Sequence, residues 1–329
     1  PKANKIFNKV KQIQIVACGT SYNAGIVAKY WLEDITKIQC RVEVASEYRY
    51  RRPILLKDTL FVTLSQSGET ADTLEALKVA KVINKSIFTL CITNSSESSL
   101  SRISDLTFLT HAGPEIGVAS TKAFTSQLVA LALLTCSIGK VKETVSKYQE
   151  KEIVDGLKRL PGLINAALSQ EEQIKKLSIS FKNKKSALFL GRGTMHAIAL
   201  EGALKLKEIT YIHAEAYPAG ELKHGPIALI DKKLPVIAIA PNNELLEKLK
   251  SNLQEVKSRG SQMIIFKDEN SKIEPMSSME IIPITSNLGR ITAPIIFTIP
   301  LQLLSYHVAL AKNTNVDKPR NLAKSVTVE

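Results

Sequence analysis

The chain has 329 residues, 44% of them hydrophobic and 5% aromatic, so it can bury a large core and is expected to form two domains rather than a disordered chain. The formal net charge of +13 would fit a nucleic-acid-binding protein, but the lysines are interleaved with glutamates and the one dense run is residues 182–185. We therefore expect no nucleic-acid binding, although a mild positive field would attract a small phosphorylated substrate.

The spacing of the cysteines and histidines predicts no structural metal. The four cysteines form no CxxC pair, and the five histidines show no HxH or HExxH pattern. This usage indicates a reduced, cytoplasmic protein, and we expect no cofactor. The longest apolar stretch, residues 293–311, is broken by prolines and polar residues, which argues against a membrane span. Because the chain begins with Pro1 rather than Met, we expect it to be a piece of a longer protein.

The first half of the chain alternates strand-like and helix-like segments. Apolar runs typical of strands lie at residues 14–18, 41–45, 60–64, 87–92 and 106–110. Helical patterns separate several of these runs, and another covers residues 121–136. Strands joined by helices predict an α/β fold with a parallel sheet covered on both faces.

The stretch at residues 63–70, Thr-Leu-Ser-Gln-Ser-Gly-Glu-Thr, stands where a buried strand turns into a helix. The first turn of a helix leaves N–H groups unpaired and carries partial positive charge, so it favours anions. The hydroxyls of Ser65, Ser67 and Thr70 are suitable donors to phosphate oxygens, and Gly68 allows close approach of the backbone. The alternative is an ordinary N-cap followed by a polar turn.

The second half repeats the order of the first. Residues 138–180 look like a charged helical connection, in which we expect Pro161 to start a helix. The repeat then comprises strand-like residues 187–190, 234–240, 263–266 and 281–284, with helical patterns at 244–257 and 294–310. This duplication predicts domains at 1–137 and 181–310, joined by 138–180 and followed by a tail at 311–329. Pro-Asn-Asn at 241–243 replaces the serine stretch, so only the first domain is expected to hold phosphate.

The helix that opens the second half carries three charges on one face. Glu201, Lys205 and Glu208 are spaced i, i+4 and i+7, and an apolar stripe that includes Leu206 lies roughly opposite. One interpretation is a solvated face with ordinary ion pairs. The other is a cleft in which the lysine tunes a carboxylate that moves a proton between adjacent carbons of a sugar.

Two further residues are candidates for chemistry. His224 lies in a Lys-His-Gly-Pro turn, where it is either a surface residue or a proton shuttle near neutral pH. Lys324 lies in a C-terminal tail with few other charges, which is unusual for a solvated tail and compatible with one tucked into a site.

Two nucleotide-binding motifs are excluded. Residues 191–196 begin like a dinucleotide fingerprint, but His196 stands where the third glycine belongs. Residues 117–122 lack the Gly-Lys-Ser/Thr order of a Walker loop.

With these residues assembled, the chain resembles the isomerase part of the glutamine–fructose-6-phosphate aminotransferase family along its whole length. The resemblance is carried by separate motifs at residues 18–21, 65–70, 117–122, 201–208, 221–226 and 319–329. It implies two tandem SIS (sugar isomerase) domains, each a flavodoxin-like three-layer sandwich, which agrees with the duplication.

The resemblance also implies a role for each matched residue. Glu208 would be the base that moves the proton between C1 and C2, supported by Lys205 and Glu201, and His224 would assist ring opening. Lys324 would form a Schiff base with the open-chain ketose. The residues around the sugar and its phosphate would be Gly19, Thr20, Ser21, Ser65, Gln66, Ser67, Thr70, Val118, Ala119 and Ser120.

The resemblance further implies a homodimer in which His224 reaches the neighbour's site. It also implies a substrate, fructose 6-phosphate, that becomes glucosamine 6-phosphate. The family's N-terminal glutaminase domain has no counterpart in these residues, and Cys18, at the end of a predicted strand, cannot replace its nucleophile. We therefore expect isomerisation and, at most, the use of free ammonia. The competing hypotheses are a non-catalytic SIS sugar-phosphate sensor and an NAD-dependent enzyme.

Overall fold

A computed structural model describes residues 2–275 and 277–327. The chain divides into two compact units. Unit 1 comprises Pro1–Asp155 and Ala323–Glu329, and unit 2 comprises Gly156–Leu322. The last residues of the chain therefore belong with the first unit, although residues 328 and 329 of the predicted tail lie outside the described residues.

Unit 1 is built on a five-stranded parallel sheet with the order β2-β1-β3-β4-β5. Its strands are β1 (Gln12–Ala17), β2 (Gln39–Val44), β3 (Thr59–Leu64), β4 (Phe88–Thr93) and β5 (Leu106–Leu109). Its helices are α1 (Lys2–Lys9), α2 (Gly19–Thr36), α3 (Ala45–Tyr48), α4 (Ala71–Ile83), α5 (Ser99–Ile103) and α6 (Lys122–Val141), and α7 (Lys147–Leu168) begins here and runs into unit 2.

Unit 2 repeats this arrangement with the sheet order β10-β9-β8-β6-β7, again all parallel. Its strands are β6 (Ser186–Gly191), β7 (His213–Pro218), β8 (Val236–Ala240), β9 (Met263–Lys267) and β10 (Met279–Pro283). Its helices are α8 (Glu171–Ser178), α9 (Thr194–Thr210), α10 (Leu246–Lys257) and α11 (Thr292–Ala311), with short 3₁₀ turns at Ile179–Phe181, Ala219–His224 and Pro226–Leu229.

The central strands β1, β3 and β8 are mostly apolar and are buried along their whole length. Every residue of β1, β3 and β8 is buried, which is the pattern of a parallel strand covered by helices on both faces. The α/β fold with two parallel sheets expected from the sequence is therefore confirmed.

The sequence pattern missed β7, which pairs with β6 at the edge of its sheet. This strand reads His-Ala-Glu-Ala-Tyr-Pro, and only Ala214 in it is buried. An edge strand has fewer covering neighbours than a central one, so it needs no continuous apolar run and gives a weak sequence signal.

The predicted helix start at Pro161 is wrong, because this proline lies inside α7. A proline in a helix interior removes a hydrogen bond and costs about 3 kcal/mol. Ile153, Leu160 and Ala167 of α7 are buried, and their packing on both sides of the proline holds the helix together across it.

Two helices, α6 and α11, are long and apolar enough to cross a membrane by length and composition. In their most apolar windows, 61% and 78% of the residues, respectively, are buried inside the protein. A core helix of a globular domain shows the same composition, and here the apolar side chains are covered by the units themselves.

Candidate active site

The strand order of unit 1 places two loops side by side at the carboxyl-terminal end of its strands. Strands β1 and β3 are neighbours, and the chain leaves β1 towards β2 but leaves β3 towards β4. The two connections diverge, which opens a crevice beyond the carboxyl ends of these strands, where open α/β sheets bind ligands. The turn at residues 19–21 follows β1 at this end of the sheet. The serine loop, defined as residues 65–70, follows β3.

The serine loop is held by its own hydroxyls. The Ser65 Oγ atom accepts the Gly68 N–H at 3.0 Å and lies 2.9 Å from Thr70 Oγ1. The Ser67 Oγ atom accepts the Glu69 N–H at 3.2 Å. Although Thr70 is the N-cap residue of α4, its side chain makes no capping hydrogen bond. Thr70 therefore does not form the ordinary hydroxyl N-cap of the alternative interpretation.

Glycine is required at position 68. Gly68 has φ +70°, and a Cβ atom there would lie 2.2 Å from Ser98 Oγ. Both the left-handed backbone and the contact exclude a side chain. The carbonyl groups of this turn are also engaged, because Gln66 O accepts the Asn94 N–H at 3.0 Å and Gly68 O accepts the Leu100 N–H at 3.1 Å. Hydrogen bonds within the loop and to its neighbours thus fix its conformation.

The neighbouring turn, Gly19, Thr20 and Ser21, forms the first turn of α2. Gly19 has φ +51°. The Ser21 Oγ atom accepts a hydrogen bond of 2.9 Å from the buried Gln127 side chain on α6. The sequence analysis did not single out Gln127, because a lone amide within an apolar helix carries no motif.

The C-terminal tail, defined as residues 323–327, lies on the serine loop. Its Ser325 Oγ is 3.1 Å from Ser67 Oγ. Its Val326 carbonyl accepts the N–H of Ala71, the first residue of α4, at 3.1 Å. A helix start carries unpaired donors and partial positive charge, and here the tail occupies one of those donors.

Lys324 of the tail is bound by a carboxylate that the sequence analysis missed. Its Nζ atom donates to Glu115 Oε2 at 2.6 Å and to the Gly117 carbonyl at 2.8 Å. The Glu115 side chain is only 5% exposed. Burial by itself would raise the pKa of Glu115, but the hydrogen bonds from Lys324 and from the α6 backbone outweigh it and lower the pKa.

Glu115 lies just before Val118, Ala119 and Ser120, the segment expected around the sugar. These three residues are half-buried and form a bend between β5 and α6. In the sequence, an acidic residue shortly before a helix is not distinctive, because carboxylates are favourable near helix N-termini. Only the fold shows that its carboxylate also reaches the tail.

In unit 2, the charged face of α9 is buried, so the interpretation of a solvated face is wrong. The side chains of Glu201 and Lys205 are 1% and 2% exposed, and that of Glu208 is 21% exposed. Lys205 Nζ lies 2.6 Å from Glu208 Oε2 and 3.5 Å from Glu201 Oε1. Burial by itself would lower the pKa of Lys205, but the two carboxylates outweigh it and raise the pKa, so this ammonium stays charged at neutral pH.

The three charges therefore form a buried triad in which one carboxylate remains partly open. The apolar stripe of the same helix is buried as well, with Met195, Leu206 and Ile209 at most 6% exposed. Replacing a buried ion pair by packed apolar residues is often neutral or stabilising, so such a triad is poor evidence of a purely structural role.

His224 ends the 3₁₀ turn Ala219–His224 and is exposed. The following Gly225 has φ +131°, a conformation that glycine adopts readily and other residues rarely adopt. The neighbouring Lys223 forms an ion pair with Glu255 at 3.1 Å. The imidazole is thus presented to solvent on a short loop.

The counterpart of the serine loop in unit 2 caps its own helix. Asn243 Oδ1 accepts the Leu245 N–H at 3.0 Å, and Asn243 O accepts the Leu246 N–H at 3.1 Å. Two donors at the start of α10 are thus used internally. The expectation that phosphate binds in unit 1 only stays a prediction.

Comparison with known proteins matches these features to one family. The SIS domain model matches residues 6–137 and 180–312. Over its full length, the chain is 59% identical to a Pseudomonas aeruginosa glutamine–fructose-6-phosphate aminotransferase (isomerizing), of which it covers 54%. It is 57% identical to the Haemophilus influenzae enzyme of the same name, covering 99% of this chain and 53% of that protein. The chain thus spans about half the length of the curated relatives it matches.

A solved structure agrees. The C-terminal domain of glucosamine-fructose-6-phosphate aminotransferase from Francisella tularensis superposes with a TM-score of 0.93 at 51% identity, covering 97% of this chain and 89% of that one. The resemblance inferred from the motifs is confirmed at the level of family and fold.

We predict that Lys205→Met destabilises the protein strongly. The substitution leaves Glu201 and Glu208 without the ammonium between them, and breaking a buried pair in this way costs about 3–5 kcal/mol. The measurement is urea unfolding followed by circular dichroism. Lys151→Met is the control, because its i,i+4 ion pair with Asp155 is on the surface, with the lysine side chain 76% exposed. Equal unfolding midpoints for the two variants would contradict a buried charged triad.

Proposed function

The chain belongs to the SIS domain family, and we propose that it is the ketose–aldose isomerase part of a glutamine–fructose-6-phosphate aminotransferase. Its substrate would be fructose 6-phosphate, and with ammonia supplied it would form glucosamine 6-phosphate. The observation that supports this most is the buried triad of α9, because a sugar-phosphate sensor would need the serine loop but not a partly open carboxylate beside a buried ammonium.

The serine loop would bind the phosphate group of the sugar. Ser65, Ser67 and Thr70 offer hydroxyl donors, and α4 offers the positive end of its dipole. The turn Gly19–Thr20–Ser21, Gln66 and the segment Val118–Ala119–Ser120 would surround the sugar. The prearranged hydrogen bonds of the loop support this role, since a rigid site loses little conformational freedom on binding.

Glu208 would carry the proton transfer. As a carboxylate it would remove a proton from C1 of the open-chain substrate and return it to C2, which converts a ketose or its imine into the aldose form. Lys205 would orient this carboxylate and Glu201 would hold Lys205, while His224 would assist ring opening. Lys324 would bind the ketose as a Schiff base, its nitrogen replacing the C2 carbonyl oxygen, which leaves as water.

The proposed role also implies a cellular location, an oligomeric state and a source of ammonia. We propose a cytoplasmic homodimer to which each chain contributes His224 across the interface. The glutaminase step of the longer relatives would supply the ammonia. The domain boundaries proposed for this role are 1–137, 138–180, 181–310 and 311–329.

The proposed function is tested by turnover. Incubation with fructose 6-phosphate is expected to yield glucose 6-phosphate, and added ammonium chloride is expected to yield glucosamine 6-phosphate. Both products are resolved by mass spectrometry after chromatography. A protein that binds fructose 6-phosphate without converting it under either condition would be a sensor, and the proposed activity would be wrong.

We predict that Thr70→Val weakens binding of fructose 6-phosphate. The substitution keeps the branched shape but removes a hydroxyl donor, and a hydrogen bond to a charged group contributes about 1.5–3 kcal/mol, equivalent to a roughly 10- to 150-fold higher Kd. Binding is measured by isothermal titration calorimetry. Thr107→Val, which removes an exposed hydroxyl from strand β5 of the same unit, is expected to leave the Kd unchanged. If the two variants bind equally well, the serine loop is not the phosphate site.

We predict that Glu208→Gln slows proton transfer strongly but leaves binding nearly unchanged. Loss of a general base reduces the rate by about 10²- to 10⁴-fold, so exchange of substrate hydrogen with deuterated water should fall by this factor. Nuclear magnetic resonance measures the exchange, and calorimetry should show a Kd for fructose 6-phosphate close to that of the wild type.

Glu247→Gln is the control for this variant. It removes an exposed carboxylate that forms an i,i+3 ion pair with Lys250 on α10, and it should exchange at the wild-type rate. Normal exchange in Glu208→Gln would assign the base to another group.

A further inference from the structure

The carboxylate of Glu115 joins two parts of unit 1 that are far apart in sequence. Its Oε1 atom accepts the backbone N–H groups of Thr121 at 2.8 Å and of Ala123 at 3.1 Å, at the start of α6. Its Oε2 atom accepts the Lys324 ammonium at 2.6 Å. The two oxygens thus have different partners, one on a helix start and one on the C-terminal tail.

Capping of α6 explains only one of these oxygens. Thr121, the N-cap residue, makes no side-chain capping hydrogen bond, so the Oε1 atom of Glu115 takes over that task. The other oxygen contributes nothing to the helix start, yet it forms a short, charge-assisted hydrogen bond with a lysine that is itself 29% exposed. Holding a long lysine side chain in one geometry costs conformational entropy, so a function for this contact is worth testing.

We propose that Glu115 is the positioning residue for the Lys324 amine, and this rests on the proposed function in which Lys324 forms a Schiff base. Glu115 lies at the start of the loop that carries Val118, Ala119 and Ser120, and the Gly117 carbonyl of that loop takes a second Lys324 hydrogen bond at 2.8 Å. The amine is therefore fixed to the same loop that is expected around the sugar.

The rest of the tail is anchored independently of Glu115. Ser325 contacts Ser67, and the Val326 carbonyl accepts the Ala71 N–H. These contacts hold the tail on the serine loop and do not involve the Lys324 amine. The Glu115 carboxylate and the Gly117 carbonyl are its hydrogen-bond partners among the described residues, so loss of the carboxylate should misplace the amine while the tail and the phosphate site stay in place.

The chemistry requires both a held and a released amine. In the ion pair Lys324 is an ammonium, which has no lone pair for attack. Imine formation needs this nitrogen to lose a proton to a base, to form the C–N bond with the carbonyl carbon and to expel the carbonyl oxygen as water. Glu115 holds the resting ammonium in place until the substrate arrives. The lowered pKa of Glu115 agrees with a carboxylate that stays ionised in this role.

The test uses Glu115→Gln, because an amide oxygen can still accept the α6 N–H groups while the charge at Lys324 is lost. The first measurement needs no sugar: acetylation of the folded chain by an activated ester, with labelling of Lys324 followed by peptide mass spectrometry. We expect labelling to be several-fold faster in Glu115→Gln than in the wild type. Equal rates would overturn the proposal, whether or not the chain turns over fructose 6-phosphate.

The second measurement traps the imine with borohydride in the presence of fructose 6-phosphate. We expect adduct formation on Lys324 to slow by about 10- to 100-fold in Glu115→Gln, the range for a misplaced reacting group, with an unchanged Kd for the sugar. Glu115→Asp, which keeps the charge on a shorter side chain, should recover part of the rate. A parallel loss of binding and trapping would show a merely structural role and overturn the proposal.

Glu33→Gln is the matched control, because Glu33 also accepts a backbone N–H, that of Cys40 at 3.0 Å, at the other edge of the same sheet. It should change neither labelling nor trapping. A wild-type chain that gives no adduct would reject the Schiff-base function, while the labelling experiment would still decide whether Glu115 holds Lys324. Should Glu115→Gln unfold, Glu115→Asp takes its place in both measurements, and wild-type values in each would overturn the proposal.

Discussion

The strand order of the two parallel sheets determines which loops of each unit lie side by side. In each sheet the first and third strands of the unit are neighbours, and their connections leave in opposite directions. In unit 1 this places the first turns of α2 and α4 at the carboxyl ends of neighbouring strands, where helix starts present backbone donors and partial positive charge. The Val326 carbonyl accepts one of these donors, the Ala71 N–H. The hydroxyl-rich residues Ser65, Ser67 and Thr70 occur at this edge, where those donors are concentrated. The corresponding loop of unit 2 satisfies its own helix through Asn243. One fold has thus been used twice with different loop chemistry.

Charge burial distinguishes the two units in another way. Unit 2 removes Glu201 and Lys205 from water almost completely and leaves Glu208 partly open. Such a triad must recover a large desolvation cost through its mutual attraction, and replacing all of its members by packed apolar residues is often neutral or stabilising. In the proposed isomerisation, the carboxylate of Glu208 would be the proton acceptor.

Anchoring of the C-terminal tail links parts of unit 1 that lie far apart along the chain. Residues 323–327 contact the serine loop through Ser325 and Val326, and Lys324 is held by Glu115. None of these contacts follows from local sequence preference, since the tail has no regular secondary structure. Each is a specific hydrogen bond between groups more than 200 positions apart. The nucleophile proposed for the reaction therefore owes its place to tertiary contacts alone.

The alternation of strands and helices, the duplication and the family could be read from the residues alone, because buried parallel strands and repeated loop motifs leave continuous, local signals. It also placed Glu201, Lys205 and Glu208 on one helical face, since helix geometry alone requires this. Only the tertiary structure decided that this face is buried and that Pro161 lies within a helix. It alone identified β7 as a strand and Glu115 as the partner of Lys324. The physical reason is the same in each case: burial and side-chain pairing depend on which distant segments pack together, and local pattern does not specify that.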